Sequence, residues 1–199
     1  NSLAKNKVNA KGSLLHKFNL KIDKNFKLID YNYKSVGYIS ESRIVLKDSF
    51  KTSLIEKPIH KISISKANLE IKLDNKKNNF LTLDGLYSLG SIKNDKFKIG
   101  YDLNKKNSKY LIDFNLSENI FLELINFKTG LKNKSNIKSE LHIAGDNIIF
   151  KNINFTEGKN SIFIKELTLN KKKEIMSISD IKVLTFKNNK ENNNFKINF

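Results

Sequence analysis

Phe97-Lys98-Ile99-Gly100-Tyr101-Asp102-Leu103 and Tyr110-Leu111-Ile112-Asp113-Phe114-Asn115-Leu116 are two runs of one kind, separated by the polar turn Asn104-Lys105-Lys106-Asn107. In each run every second residue is apolar. A period of two sends Phe97, Ile99, Tyr101 and Leu103 to one face of a strand and Lys98, Gly100 and Asp102 to the other. The short turn predicts an antiparallel hairpin with Tyr110, Ile112, Phe114 and Leu116 on the same face as the first set. Such a sheet is apolar on one side and wet on the other.

The pattern recurs in both directions. Phe18, Leu20 and Ile22 alternate up to Asp23-Lys24-Asn25, which has turn chemistry. Phe26 and Leu28 start a return strand whose parity slips to Ile29, Tyr31 and Tyr33, the mark of a β-bulge or of a change of face. Pro58 is the sole proline and predicts a strand start or a connection rather than the middle of a ladder. Ile162, Ile164, Leu167 and Leu169 repeat the theme towards the C-terminus. Residues 117–127 are the ambiguous stretch. Ile120, Leu124, Phe127 and Leu131 follow helical spacing behind Ser117, whereas Ile120, Leu122 and Leu124 also fit a strand.

The expected fold is therefore all-β: an extended, curved antiparallel meander with a groove-like apolar face and at most one short helix. Residues 1–11 read as a linker or the end of a preceding strand, and 12–199 as a single β-rich, repeat-like segment. The chain opens on Asn1 and stops at Phe199 inside the alternating run Phe195, Ile197, Phe199, which reads as a segment of a larger protein.

Composition excludes more than it identifies. The formal net charge is +17, which ordinarily points to nucleic acid or an anionic surface. Nearly all of that charge is lysine, and Arg43 is the only arginine. Lys, Asn, Ile and Phe are inflated together, as codon bias in an A+T-rich genome does. A reader of bases or phosphates would favour arginine for bidentate contacts. The lysines read instead as solvation of the outer face and protection against edge pairing. There is no Cys, so neither a disulfide nor a thiolate metal site is possible. No run approaches the roughly 18 apolar residues of a membrane-spanning helix.

Chemical motifs are weak. His16, His60 and His142 have no second His or acid at ligand spacing, and His142 reads as solvent-facing between Leu141 and Ile143. Asp84, Asp95, Asp102, Asp113 and Asp146 fall in turns or on polar parity. Gly85, Gly90 and Gly100 sit in strand patterns with no helix behind them, so no phosphate loop is drawn, while Gly145 and Gly158 read as turn residues. The aromatic residues share parity with Ile and Leu rather than with lysine, which favours packing over a base-stacking platform.

Residues 144–199 carry a resemblance. Asn147-Ile148-Ile149-Phe150-Lys151-Asn152-Ile153-Asn154-Phe155 leads through Glu157-Gly158-Lys159-Asn160 into Ser161-Ile162-Phe163-Ile164-Lys165-Glu166-Leu167-Thr168-Leu169. This strand, turn and strand resembles the recurring unit of the AsmA, TamB and YhdP group of envelope proteins, and Phe18–Ser40 is similar to it. The resemblance implies a non-enzymatic, taco-shaped β-groove in the periplasm, without a cofactor. It would carry phospholipid acyl chains between inner and outer membranes and serve outer-membrane biogenesis, anchored to the inner membrane by an upstream segment. Nucleic acid is not an expected partner. The candidate groove residues are Phe18, Leu20, Ile22, Phe97, Ile99, Tyr101, Leu103, Tyr110, Ile112, Phe114, Leu116, Ile162 and Ile164. On this reading a charge at Ile112 or Phe114 blocks passage, and a substitution at Asp113 is nearly silent. The alternatives are a structural solenoid or adhesin-like domain with a closed core, and a basic nucleic-acid-binding sheet.

Overall fold

The computed structural model describes residues 6–52, 55–75, 79–90, 94–102, 108–130, 134–172 and 174–198. Eleven strands form one antiparallel sheet that does not close into a barrel. They are β1 (Lys7–Ile22), β2 (Leu28–Thr52), β3 (Ile55–Asp74), β4 (Phe80–Ser88), β5 (Asp95–Asp102) and β6 (Ser108–Leu116), then β9 (Ser135–Ala144), β10 (Asn147–Glu157), β11 (Asn160–Leu169), β12 (Ile175–Lys187) and β13 (Lys190–Ile197). Each pairs with its neighbour in this order. Between β6 and β9 the chain leaves the sheet and forms β7 (Phe121–Leu122), a single 3-10 turn (Glu123–Ile125) and β8 (Phe127–Lys128). The ambiguous stretch is thus neither a regular helix nor a long strand.

The predicted hairpin register is present. Phe97 faces Phe114, Ile99 faces Ile112 and Tyr101 faces Tyr110. Leu103 and the turn 104–107 lie outside the described residues. The parity slip after Leu28 is a bulge: Ile22 pairs with Leu28 but Lys21 with Asp30. The turn before it is tied by Asp23 Oδ1, which accepts from the Asn25 and Lys27 amides at 2.8 Å each. Two readings are corrected. Lys7–Lys11 are not a linker but the first part of β1, because they pair with Val45 back to Glu41. Gly90 is not in a strand but in a bend at φ 83°, a conformation open to glycine.

Cross-strand pairing lines the apolar residues into rows that run across the strands. One row is Gly12, Ile39, Ala67, Gly85, Phe97, Phe114, Ile137, Phe155, Ile162, Val183 and Phe195. A close approach explains Gly85, where a Cβ would fall 2.6 Å from Ala67 Cα. A parallel row is His16, Ser35, Ile71, Leu81, Tyr101, Tyr110, Leu141, Phe150, Leu167 and Ile178. Bulges keep the rows in phase. Lys66, Asn152 and Asp180 take positive φ at the points where apolar parity changes.

The first row is where the core sits. Ile120 and Phe127, from the excursion after β6, pack on Phe155, Ile162 and Val183, with Leu122, Ile125, Ile164, Ile181 and Phe195 around them. A second cluster joins Ala67, Tyr87 and Phe97 to Phe114 and Leu116. Fully burying side chains of this size contributes about 1.5–3 kcal/mol each, so these clusters hold the sheet in one shape. The pairing of β3 with β4 ends at Ser63, so Ile55–Ile62 overhang β4 while still pairing with β2. Ile55 nevertheless bridges to Ile120, and Ile59 is buried. The β2–β3 end must curve over the ends of β4–β6 to make that contact. Pro58 sits in the overhang, within β3 but beyond the reach of β4, where the ladder can spare its missing donor.

Candidate functional site

The apolar face divides into a closed part and an open part. The excursion 117–130 covers the first row at its β9–β13 end, and its polar anchors hold it down. Asp95, itself buried, accepts from the Ser117 amide at 2.8 Å and from the Ser117 hydroxyl. Thr129 and Ile120 bond each other in both directions, Ile120 N to Thr129 Oγ1 at 2.8 Å and Thr129 N to Ile120 O at 3.0 Å. Glu157 is 2% exposed; its carboxylate accepts from Gly130 N at 2.8 Å and from the Asn160 amide. Asn193 donates to Ile125 O at 2.8 Å. Buried acceptors met by donors from the excursion make it a fixture, since leaving any of them unpaired costs about 1–3 kcal/mol.

Among the described residues the second row belongs to neither buried cluster: its members are half-buried, except His16, which is exposed, and Ser35, which is 1% exposed. Tyr101 and Tyr110 stack at 4.4 Å with 10° between ring planes, and both are half-buried. On β1, which is exposed along its whole length, Phe18, Leu20 and Ile22 of the same face are 61%, 54% and 52% exposed. Phe18 meets Tyr33 edge-on at 5.9 Å, and His16 bonds the Tyr33 hydroxyl at 2.9 Å. Across its ten strands the row spans about 43 Å at roughly 4.8 Å per spacing.

The candidate residues therefore separate. Phe18, Leu20, Ile22, Tyr101 and Tyr110 lie on the open part, and Ile99 and Ile112 lie half-buried between the two rows. Phe97 and Ile162 are buried in the closed clusters, and Ile99, Phe114, Leu116 and Ile164, half-buried, pack against them. Leu103 is outside the described residues.

The opposite face is a charge ladder. Asp84 faces Lys98, Lys98 faces Asp113 and Asp113 faces Lys138, with Asp113 and Lys138 in contact at 3.1 Å. Asn136 also donates to Asp113 Oδ1 at 2.7 Å. Asp113 is therefore no silent position: a lysine there would stand between two lysines. Glu140, held by Lys109 at 2.9 Å and near His142 at 3.4 Å, has its carboxyl pulled below the usual range, chiefly by the Lys109 hydrogen bond. Among the described residues no group of three or more His, Asp or Glu is placed to hold a metal ion.

Sequence reasoning missed Asp95 and Glu157, taken as surface or turn carboxylates, and Tyr87 as a polar anchor. Their one signal is position: each stands at the end of a strand, opposite the exit or return of the excursion. Tyr87 donates to Asn115 O at 2.7 Å, and burial, aided by Asp95 and Glu118, pushes its hydroxyl well above the usual tyrosine range. A raised folded-state pKa means that stability is full below the unfolded value of about 10 and is lost as pH rises past it. Urea midpoints should therefore fall above about pH 10 in the wild type. Tyr87→Phe is expected to cost about 1 kcal/mol at neutral pH and to flatten that alkaline fall. Parallel falls in the two proteins would contradict the assignment.

No protein-family model, no curated protein and no solved structure matches this chain.

Proposed function

We propose that this chain is a non-enzymatic lipid-handling sheet of the cell envelope, seating phospholipid acyl chains on the open part of its apolar face. The observation that carries the reading is the part of the apolar face outside the two buried clusters, where Tyr101 and Tyr110 are half-buried and Phe18 and Leu20 on β1 are exposed. A sheet buries its apolar face against another layer, and among the described residues that layer lies over the β10–β13 part. An acyl chain gains about 0.8 kcal/mol per buried CH₂, and a row running across the strands lets it shift without breaking a polar contact. Half of a bilayer core is about 15 Å, well within the row.

The resemblance to the AsmA, TamB and YhdP group adds the setting: the periplasm, between inner and outer membranes, with phospholipid transport for outer-membrane biogenesis. Inner-membrane anchorage would lie upstream of these residues. Nucleic acid has no part in this reading, because the rings of the open row lie on the face away from the lysine ladder. A second reading, a structural domain with a filled core, draws on the Phe155–Val183 cluster beneath Ile120 and Phe127.

Native mass spectrometry of the protein, purified without detergent and then mixed with phospholipid vesicles, separates the two. Discrete phospholipid adducts are expected. A bare protein mass after both treatments would sink the lipid reading and leave the structural one.

A further inference from the structure

We propose that a hollow on the polar face of β3–β6 and β9 binds a doubly charged phosphate group, a phosphomonoester or a diphosphate, held by Lys66, Lys96, Lys98 and Lys138. The site lies on the face opposite the apolar rows and stands whether or not lipid occupies them. The hollow measures about 660 Å³, within the range of small-molecule sites. Strands from the middle of the sheet line it, so it depends on neither end of the chain. Register explains the convergence. β3 carries a bulge between Ser65 and Asn68, so Lys66 and Ala67 together stand opposite Gly85. Two residues against one bend the strand and re-aim a side chain. Ala67 is fully buried in the cluster with Tyr87 and Phe97, and Lys66 is exposed at the hollow. Lys66 holds φ 49°. Asn152 and Asp180, at the matching points of other strands, are residue types that enter this conformation readily, and lysine is not. Lys96 and Lys98 are two apart on β5 and share its polar parity. Lys66 stands two strand spacings before β5 and Lys138 two beyond it, about 10 Å to either side at roughly 4.8 Å each. A lysine's flexible four-carbon stem closes such a gap.

Charge selects the ligand. Elsewhere on the sheet lysines are answered across the strands, Lys34 by Glu70 and Lys109 by Glu140, each at 2.9 Å. In the hollow the acids are already engaged. Asp113 is taken by Lys138 at 3.1 Å and by Asn136 at 2.7 Å, and Asp84 is met by Asn68 at 3.4 Å. Among the described residues Lys66, Lys96 and Lys98 have no carboxylate within ion-pair distance. Four lysines and two aspartates line the hollow, a net charge of +2. A phosphomonoester brings about −1.5 to −2 at pH 7 and three acceptor oxygens. Hydrogen bonds from ammonium groups to phosphate are roughly twice as strong as neutral ones. Asn136 donates to Asn115 Oδ1 at 2.9 Å, which leaves the Asn115 amide as a neutral donor in the same lining. The phosphate arrives either as a free anion or on a lipid head, and the choice of probe separates the two sources.

Isothermal titration calorimetry with inorganic pyrophosphate supplies one arm of the test, and co-sedimentation with phosphatidate vesicles the other. Pyrophosphate is expected to bind one to one and to weaken as salt rises. Lys66→Gln/Lys96→Gln should weaken binding at least about tenfold with the strand spectrum retained. Both lysines are exposed; Lys96 faces Leu86 and Lys66 stands in the bulge, so no charge pair is broken. Lys66→Arg/Lys96→Arg should keep the affinity. The control Lys182→Gln/Lys196→Gln removes the same charge from exposed lysines that face each other on β12 and β13, and affinity should be unchanged. Vesicle capture without pyrophosphate binding, lost in Lys66→Gln/Lys96→Gln, would support the site and assign its phosphate to a lipid head. No saturable binding of either probe would overturn the proposal. Equal loss in the two glutamine variants would overturn it in favour of diffuse charge attraction.

Discussion

Phe155→Ala is expected to destabilise the protein by about 3–5 kcal/mol, whereas Phe18→Ala should change stability by no more than about 0.5 kcal/mol. Both are phenylalanines on the apolar face, and their sequence surroundings differ little. Phe155 is 6% exposed, stands between Ile137 and Ile162 in its row, and meets Phe127 edge-on at 6.1 Å. Removing its ring leaves a cavity under the excursion that Ile120 and Phe127 cannot fill without leaving their own partners. Phe18 is 61% exposed on the edge strand and leaves no cavity. Urea denaturation measures both losses. Hydrogen exchange supplies a second readout: amides of 118–130 should lose protection in Phe155→Ala and keep it in Phe18→Ala. Equal costs for the two variants would mean that the face is closed throughout, and the lipid reading would fall with the distinction.

Ile112→Asp carries the largest functional effect. Ile112 is half-buried, between Ile99 on β5 and Ser139 on β9, and belongs to neither closed cluster. An aspartate there leaves the core clusters intact but sets a charge in the path of an acyl chain, where it must be desolvated or obstruct. Phospholipid capture is expected to fall at least about tenfold, equivalent to about 1.4 kcal/mol, with the strand spectrum retained. The matching control is Leu111→Lys. Leu111 is 51% exposed on the opposite face and faces Glu140, so the new cation is answered and capture should be unchanged. Asp113 cannot serve as that control because it belongs to the ladder with Lys98 and Lys138. Phe114 is a poor probe for a related reason: it packs against Phe97 at 5.9 Å and against Tyr87 at 5.3 Å, so a charge there attacks the fold itself. Equal loss of capture in Ile112→Asp and Leu111→Lys would remove the case for the apolar face.

What the sequence determined by itself is local. Period-two alternation predicts strands, assigns each side chain to a face, and puts Phe97, Ile99 and Tyr101 on one face with Tyr110, Ile112 and Phe114 of the next strand. The parity slip at Leu28 and Ile29 predicts a bulge or a change of face, and the structure has the bulge. These follow because adjacent residues on a strand must point to opposite faces, whatever lies above them. Alternation carries no information about what covers a face. Phe18 and Ile162 read alike as groove residues, yet one is open and the other is closed by Ile120 and Phe127 from the far side of β9. The excursion could not be read from its own residues, because a stretch that closes on distant strands takes its shape from Asp95 and Glu157 rather than from a period of its own. Only the tertiary structure decided which part of the apolar face became a core, because burial is set by contacts between residues far apart in the chain.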